Sequence, residues 1–274
     1  MTSDSAAPGA GGPAVARRRL AAGLRQHREA AGLTMEQAAA LLEWSSAKIS
    51  RIENAQVSVL PRDARLLAGI YRVDGDGQDR LTGLARQTRQ KAWWHDYGLT
   101  LPAGLQAYTA LEAEAEVLRS YHPELVPPLL QTPAYQHATT PPLPGGDAGQ
   151  ATALLTARQH RHATAGSPLL HVIPSEAVLR RPAGGPAVMA DQLSRLAEQA
   201  AQPHITVQVL PFTAGAHPAM DTPFTLFTFP ADPDIAWPGP QAITCLDSPA
   251  DVQHYQHLFT RLHDLALTPD ESAT

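Results

Sequence analysis

The chain has 274 residues, which is long enough for two domains, and its 43% hydrophobic content can fill two cores. Its net charge of −5 is unevenly divided: residues 1–91 hold 14 Lys and Arg against 9 Asp and Glu (+5), and residues 92–274 hold 7 against 17 (−10). No stretch reaches the roughly 18 apolar residues of a membrane span, the first residues lack an apolar export core, and the single Cys245 excludes an internal disulfide and a cysteine-cluster metal site. We therefore expect a cytoplasmic protein, with a charge division that suits a first part facing nucleic acid.

Residues 15–91 are predicted to form a domain of five short helices. They follow a stretch, residues 1–14, that is rich in Ala, Gly, Ser and Pro and is expected to be a disordered tail. The first helix is indicated by helical spacing from Arg17 to a stop at Gly32, and the second by an N-cap at Thr34 with a possible capping box at Gln37. The third has an N-cap at Ser45 and ends near Asn54. The fourth begins at Pro61, and the pair Leu81 and Leu84 indicates the fifth.

The third predicted helix has two unlike faces. Ile49 and Ile52 can turn into a core, whereas the opposite face carries small or basic residues and no acid. A turn of about three residues between the second and third helices is the plan of helix-turn-helix repressors, in which such a face enters the major groove. Small side chains permit close approach, and an Arg can form a bidentate bond to guanine. The alternative is a solvated face on an ordinary helical bundle. The outward residues are Ser46, Ala47, Ser50 and Arg51, with Lys48 at the edge and better placed for phosphate.

The stretch LRQHREAAGLTMEQAAALLEWSSAKISRIEN resembles, without a gap, the DNA-binding domain of Xre-type (phage-repressor-like) regulators. The resemblance implies recognition positions at Ser46, Ala47 and Arg51, and a structural ion pair between helices at Arg28 and Glu53.

Two residues depart from that family's pattern. Met35 stands where the family often has a Gln that contacts phosphate. Glu43 stands where the turn often has Gly, so it must accept a strained backbone or a different turn. Phosphates are expected at the N-terminal ends of the second and third helices, around Thr34 and Ser45, and at Arg17, Arg18 and Arg19.

Residues 92–274 are predicted to form an α+β domain, with helices packed on a mainly antiparallel sheet of four or five strands. The strands gather after the helices and do not alternate with them strictly. The predicted strands are LLHVIP (169–174), ITVQVLPF (205–212), FTLFTFP (224–230) and AITCLD (242–247), and the predicted helices include LEAEAEVLRSY (111–121), 150–164 and 250–267.

This second part also has recognisable stretches: EAEAEVLRSYHPELVPPLLQTPAY, EAVLRRPAGGPAVMADQL, ITVQVLPFTAGAHPAM and YQHLFTRLHDLALTPDES. They resemble the C-terminal domain of Scr-type, antitoxin-like regulators of actinobacteria, and the whole resemblance spans residues 17 to about 272. It implies a transcriptional regulator, commonly paired with a small companion protein encoded nearby, and it supplies no catalytic residues.

Several residues of the second part are candidates for contact with an effector or partner. The pair Trp93 and Trp94 could form a stacking surface or could wedge two domains together. Arg180 and Arg181 could hold an acidic ligand or could form surface or interdomain ion pairs. The full candidate set is Trp93, Trp94, Tyr97, Tyr121, Arg180 and Arg181.

No catalytic or metal site is expected. The chain has no GxSxG, P-loop, Rossmann glycine fingerprint or HExxH, so we expect no enzyme and no cofactor. RQHRH (158–162) reads as a solvated helix face, and Cys245 as a small apolar residue within a strand. His254 and His257 could share a helix face near His263, but a metal site there would need a carboxylate or a third imidazole to complete it, which favours surface histidines.

These observations predict a sequence-specific DNA-binding transcriptional regulator that acts on a double-stranded operator as a homodimer. The second domain would bind a partner or effector and mediate dimerisation. The alternative is an antitoxin-like protein that sequesters a small companion protein, with DNA binding secondary; Met35 and Glu43 give it some weight.

Overall fold

The computed structural model describes residues 12–89, 93–97, 99, 101–140, 148–163, 168–220, 222–239, 242 and 245–273. Its contacts divide the chain into two compact units, Met1–Ala92 and Trp93–Thr274. Among the helices described, none combines the length and apolar character needed to cross a membrane.

The first unit contains the five predicted helices. They are α1 (Pro13–Ala30), α2 (Met35–Leu41), α3 (Ser46–Glu53), α4 (Pro61–Ile70) and α5 (Gly75–Gln87). The expected tail ends before residue 14, because Pro13 begins α1 and Val15 is buried. Pro suits the first helical position, since its fixed φ is helical and its missing N–H would have had no partner there. Residues 1–11 of the expected tail lie outside the described part.

Side-chain caps set the starts of α2 and α3. The Thr34 hydroxyl accepts a hydrogen bond from the Gln37 N–H while the Gln37 side chain accepts one from the Thr34 N–H, which confirms the predicted capping box. The Ser45 hydroxyl accepts from the Lys48 N–H at the start of α3. Both helices are short, so tertiary packing must supply much of their stability. That packing comes from a core shared by all five helices, built on Leu20, Leu24, Ala38, Ala39, Ile49, Ile52, Leu67 and Leu81.

The second unit is an α+β domain with a five-stranded sheet, as predicted. The strands are β1 (Val117–His122), β2 (Leu169–Pro174), β3 (Ile205–Val207), β4 (Phe224–Thr228) and β5 (Ile235–Trp237). The helices are α6 (Ala103–Glu114), α7 (Pro133–Thr139), α8 (Ala148–His162), α9 (Glu176–Arg180), α10 (Pro186–Ala200), α11 (Pro249–Leu265) and α12 (Pro269–Ser272), with 3-10 turns at Trp93–Tyr97, Pro128–Leu130 and Phe212–Ala214.

The sheet is mixed and not mainly antiparallel. Its order is β3-β2-β1-β4-β5; the pairs β1–β2 and β2–β3 are parallel, and the pairs β1–β4 and β4–β5 are antiparallel. The central position of β1 corrects the helix expected over residues 111–121, which ends at Glu114. Backbone pairing of β1 on both edges outweighs the helix preference of the glutamates before it.

Two further strand expectations need correction. Only the first three residues of 205–212 form a strand, and β5 was not foreseen. The expected strand at 242–247 lies partly outside the described residues, and its described end makes one bridge, Leu246 to Ala236. Cys245 beside it is partly buried.

Candidate nucleic-acid interface

A tight turn joins α2 to α3. The Trp44 N–H donates to the Ala39 carbonyl at 2.9 Å, which closes the end of α2. Glu43 within the turn has φ +54°, in the left-handed region. Of the two options for Glu43, the structure therefore has the strained backbone. Such a conformation costs a residue other than Gly roughly 1–2 kcal/mol.

Helix α3 buries one face and exposes the other. Ile49 and Ile52 are 0% and 2% exposed and belong to the core of the first unit. Opposite them lies a set of four residues that we call the recognition surface: Ser46, Ala47, Ser50 and Arg51. Ser46, Ala47 and Arg51 are exposed, and Ser50 is partly buried.

The groups of the recognition surface differ in their internal contacts. The Asn54 side-chain amide donates to the Ser50 carbonyl at 2.9 Å and to the Ser50 hydroxyl at 3.2 Å. Ser50 can still donate its own hydroxyl proton outward. Arg51 forms no ion pair with any carboxylate of the described residues. Its five N–H donors are therefore available to an external acceptor. Asn54 was not anticipated, although its i, i+4 spacing from Ser50 could have indicated it.

A buried ion pair joins α1 to α3. Arg28 Nε donates to Glu53 Oε1 at 2.8 Å, and Arg28 Nη2 donates to Oε2 at 2.8 Å. Arg28 Nη1 also donates to the Leu33 carbonyl at 2.9 Å, and the Tyr71 hydroxyl lies 3.5 Å from the same carboxylate. The hydrogen bonds to Glu53 raise the pKa of Arg28. These contacts hold the C-terminal end of α3 against α1, and so fix the direction in which the recognition surface points.

Lys48 has two intramolecular partners at the edge of α3. Its ammonium lies 3.2 Å from Asp63 Oδ2 and 3.2 Å from the centroid of the Trp44 ring. Its side chain is 36% exposed and that of Asp63 is 15% exposed. Neither Trp44 nor Asp63 was singled out from the sequence. To make the expected phosphate contact, Lys48 would have to give up or distort its interactions with Asp63 and Trp44.

The start of α2 is a poor place for a phosphate. Glu36 lies exposed in the first turn, where a hydrogen bond from its own backbone N–H and one with the Thr34 side chain lower its pKa. A carboxylate at that place repels an incoming phosphate. Met35 packs against the core cluster of the first unit and presents no polar group. Thr34 and Ser45 are exposed but already use their hydroxyl oxygens as caps.

The three arginines proposed as phosphate ligands on α1 are only partly accessible. Arg17, Arg18 and Arg19 are each partly buried, although Arg25 further along α1 is well exposed. The recognition surface on α3 is therefore more accessible to DNA than the arginines at the start of α1.

The aromatic residues at the start of the second unit pack on one another. The Trp93 ring meets the rings of Trp94 and Tyr97 edge-on, at centroid distances of 5.9 Å, and the Arg161 guanidinium lies 5.0 Å from its centroid. Trp94 is buried, and Tyr97 is 49% exposed. Tyr97 lines an open groove of about 870 Å³ together with residues of α7 and α8. Of the three aromatics, Tyr97 offers the largest open surface to a ligand.

Tyr121 is corrected from a surface candidate to a core residue. It lies on β1 with 1% exposure, within the core under α11. Its hydroxyl is 3.2 Å from His217 Nε2, and His217 Nδ1 accepts from the Ala219 N–H at 3.4 Å. Burial raises the pKa of Tyr121 to about 12. An external ligand cannot reach this ring without opening the domain.

The two arginines before the Gly-Pro loop form surface ion pairs. Arg180 Nε donates to Glu176 Oε1 at 2.5 Å one helical turn away, and Arg181 pairs with Glu124. The Arg180 and Arg181 side chains are 71% and 53% exposed. Both contacts are surface ion pairs, and contact of these arginines with an acidic ligand or partner stays a prediction.

The stretch 158–162 is only in part the solvated face that its composition indicates, because His160 and Arg161 are exposed whereas Arg158 and His162 are buried. Arg158 is 8% exposed and donates to both carboxylate oxygens of Glu112 on α6, with Nε to Oε1 at 2.7 Å. His162 is also 8% exposed, and burial lowers its pKa. Within the described ranges, no three His, Cys, Asp or Glu side chains come close enough to hold a metal ion.

Comparison with known families assigns both units. Residues 105–274 match a family model described as "Domain of unknown function (DUF5753)", which covers more than half of the chain. The chain belongs to this family. Residues 19–81 match a second model, described as "Helix-turn-helix domain", which covers α2, the turn and α3. This DUF5753 protein therefore carries a helix-turn-helix domain, and the match supports a DNA-binding regulator. Searches of curated proteins and of solved structures found no match.

Proposed function

We propose that this DUF5753 protein is a sequence-specific transcriptional regulator with a first unit of the Xre type. The recognition surface enters the major groove, and Arg51 donates a bidentate pair of hydrogen bonds to the O6 and N7 of a guanine. The observation that carries the proposal is the state of Arg51: exposed, on a helix held by a buried ion pair, and without an intramolecular carboxylate among the described residues.

The neighbours of Arg51 support the same role. Ala47 and the two serines are small, so the helix axis can approach base edges closely. An ordinary solvated helix face has no need of a buried ion pair that fixes its orientation. Sequence-independent affinity would come from phosphate contacts, whereas the four side chains of the recognition surface would select the bases.

The test is to exchange Arg51→Ala in the full chain and to compare it with Arg80→Ala. Arg80 is exposed on α5, which packs on α1 and α4, so its loss changes the net charge equally without touching α3. Duplexes are first selected from a random pool with the wild-type protein. Dissociation constants are then measured for the selected duplex, for duplexes altered at each guanine, and for a random duplex.

We expect Arg51→Ala to weaken binding to the selected duplex by about 1–3 kcal/mol and to abolish discrimination at one guanine. Arg80→Ala should leave the discrimination unchanged. If Arg51→Ala weakens the selected and the random duplex by the same factor, Arg51 does not read a base.

We further propose that the second unit is not catalytic, that it mediates homodimerisation, and that it binds a partner protein or effector. The support is the acidic charge of residues 92–274, which disfavours DNA contact, together with the usual need of two half-sites for stable operator binding. Light scattering on the purified full chain should give twice the mass of one chain. A monomer at micromolar concentration contradicts the dimer.

An antitoxin-like protein that sequesters a small companion is a second candidate. The ionised Glu36 and the partly buried, apolar Met35 favour it, because the first repels a phosphate at α2 and the second offers it no polar group. Size exclusion of the chain mixed with the product of the adjacent reading frame separates the candidates. Co-elution by a protein that selects no duplex from a random pool would favour sequestration over DNA-binding regulation.

A further inference from the structure

The carboxylate of Asp63 lies between two cations next to the recognition surface. Its Oδ2 is 3.2 Å from Lys48 Nζ on α3, and its Oδ1 is 3.4 Å from Arg62 Nε on α4. The two cations differ in freedom: the Arg62 side chain is 81% exposed, whereas that of Lys48 is 36% exposed and also lies over the Trp44 ring. Asp63 itself is 15% exposed. Lys48 is thus held by both Asp63 and Trp44, whereas Arg62 contacts Asp63 and is otherwise open to solvent.

A Lys at this edge of α3 would ordinarily add to sequence-independent DNA affinity. Each cation that neutralises a phosphate releases counterions, which makes the logarithm of the binding constant fall with the logarithm of salt concentration by about 0.9 per contact. A Lys that is paired with an internal carboxylate and stacked on an indole gains less from a phosphate, because it must first give up both interactions.

We propose that Asp63 is a positioning residue that holds Lys48 away from the DNA backbone and so limits affinity for random sequence. The inference rests on the proposed DNA-binding function and deepens it. A lower sequence-independent affinity increases the share of binding energy that depends on base contacts, which raises specificity among competing genomic sites.

Asp63→Asn is the decisive variant, because it keeps the shape of the side chain and removes its charge. The matched control is Asp79→Asn, since Asp79 also pairs with an arginine of α4, Arg65, at 3.2 Å, but both of those side chains are more than 60% exposed. Both variants change the net charge of the first unit equally. The probe is a random-sequence 25-base-pair duplex, titrated with the full chain over a series of KCl concentrations.

For Asp63→Asn we expect the salt slope to steepen by about 0.9. The ratio of the affinity at 0.1 M salt to the affinity at 1 M salt should then be roughly eightfold larger than for the wild type. Asp79→Asn should match the wild type. The double variant Lys48→Gln/Asp63→Asn should return to the wild-type slope, because the released cation is gone. A loss of packing between α3 and α4 alone would lower the melting temperature without steepening the slope.

Three results overturn the inference. The first is an equal salt slope for the wild type and Asp63→Asn, and the second is an equal steepening in Asp63→Asn and Asp79→Asn. The third is a steep salt slope that persists in the double variant, because the added phosphate contact would then come from Arg62. In each of these cases the wild type still binds DNA and the proposed function stands. If neither the wild type nor Asp63→Asn binds the random duplex at the lowest salt concentration, and the wild type selects no duplex from a random pool, it is the proposed function that fails.

Discussion

Removing Arg28 should destabilise the first unit far more than removing an exposed arginine of the same helix. Arg28→Ala deletes three side-chain hydrogen bonds to Glu53 and one to the Leu33 carbonyl. It leaves Glu53, whose side chain is 2% exposed, with the Tyr71 hydroxyl at 3.5 Å as its one remaining side-chain partner in the described part of the chain. An uncompensated buried carboxylate of this kind costs about 3–5 kcal/mol. The matched variant Arg25→Ala breaks an exposed i, i+4 pair with Glu29 and should cost at most about 0.5 kcal/mol.

Peptide-resolved hydrogen exchange on the full chain measures this difference, because it reports the opening of α1 and α3 separately from the second unit. For Arg28→Ala, the slowest amides of α1 should exchange faster by roughly two to four powers of ten, since 1.4 kcal/mol corresponds to tenfold. The double variant Arg28→Met/Glu53→Leu should recover a large part of the loss, because no charge remains buried. Equal effects of Arg28→Ala and Arg25→Ala would refute the reasoning.

Three further predictions concern the turn, a cap and a partly buried histidine. Glu43→Gly should raise the free energy of unfolding of the first unit by roughly 1 kcal/mol in urea titrations, since Gly accepts φ +54° without strain; a decrease would contradict this. Thr34→Ala should lower it by about 1 kcal/mol through loss of the cap, and unchanged exchange of the α2 amides would argue against that role. Burial lowers the pKa of His122 to about 4, below its unfolded value of roughly 6.5, so stability present above pH 6.5 should decline as pH falls towards 4. An NMR titration of His122 with a midpoint near 6.5, or an equal decline in His122→Gln, would contradict this.

The helices of the first unit were predictable because local chemistry sets each start. Thr34 and Ser45 each accept a hydrogen bond from a backbone N–H inside the helix that follows, and Pro61 occupies the first turn of α4. The buried and exposed faces of α3 follow from its period of 3.6 residues, which turns Ile49 inward and Arg51 outward. These features depend on neighbours within a few residues and can be read from one sequence.

Features that depend on distant partners were not predictable. The helix expected over 111–121 fails because β1 gains its backbone hydrogen bonds from β2 and β4, which lie about 50 and 110 residues further along the chain. Arg158 is buried because Glu112, 46 residues earlier, pairs with it. The pairing of Lys48 with Asp63 likewise requires the path of the chain between α3 and α4.

The proposed role of Arg51 can be tested most directly by methylation interference on a duplex selected with the wild-type protein. Methylation of guanine N7 removes the acceptor that Arg51 would use in the major groove. With the wild type, methylation of one guanine in each half-site should prevent binding, and with Arg51→Ala binding should no longer depend on methylation of that guanine. An identical interference pattern for both proteins would contradict base reading by Arg51.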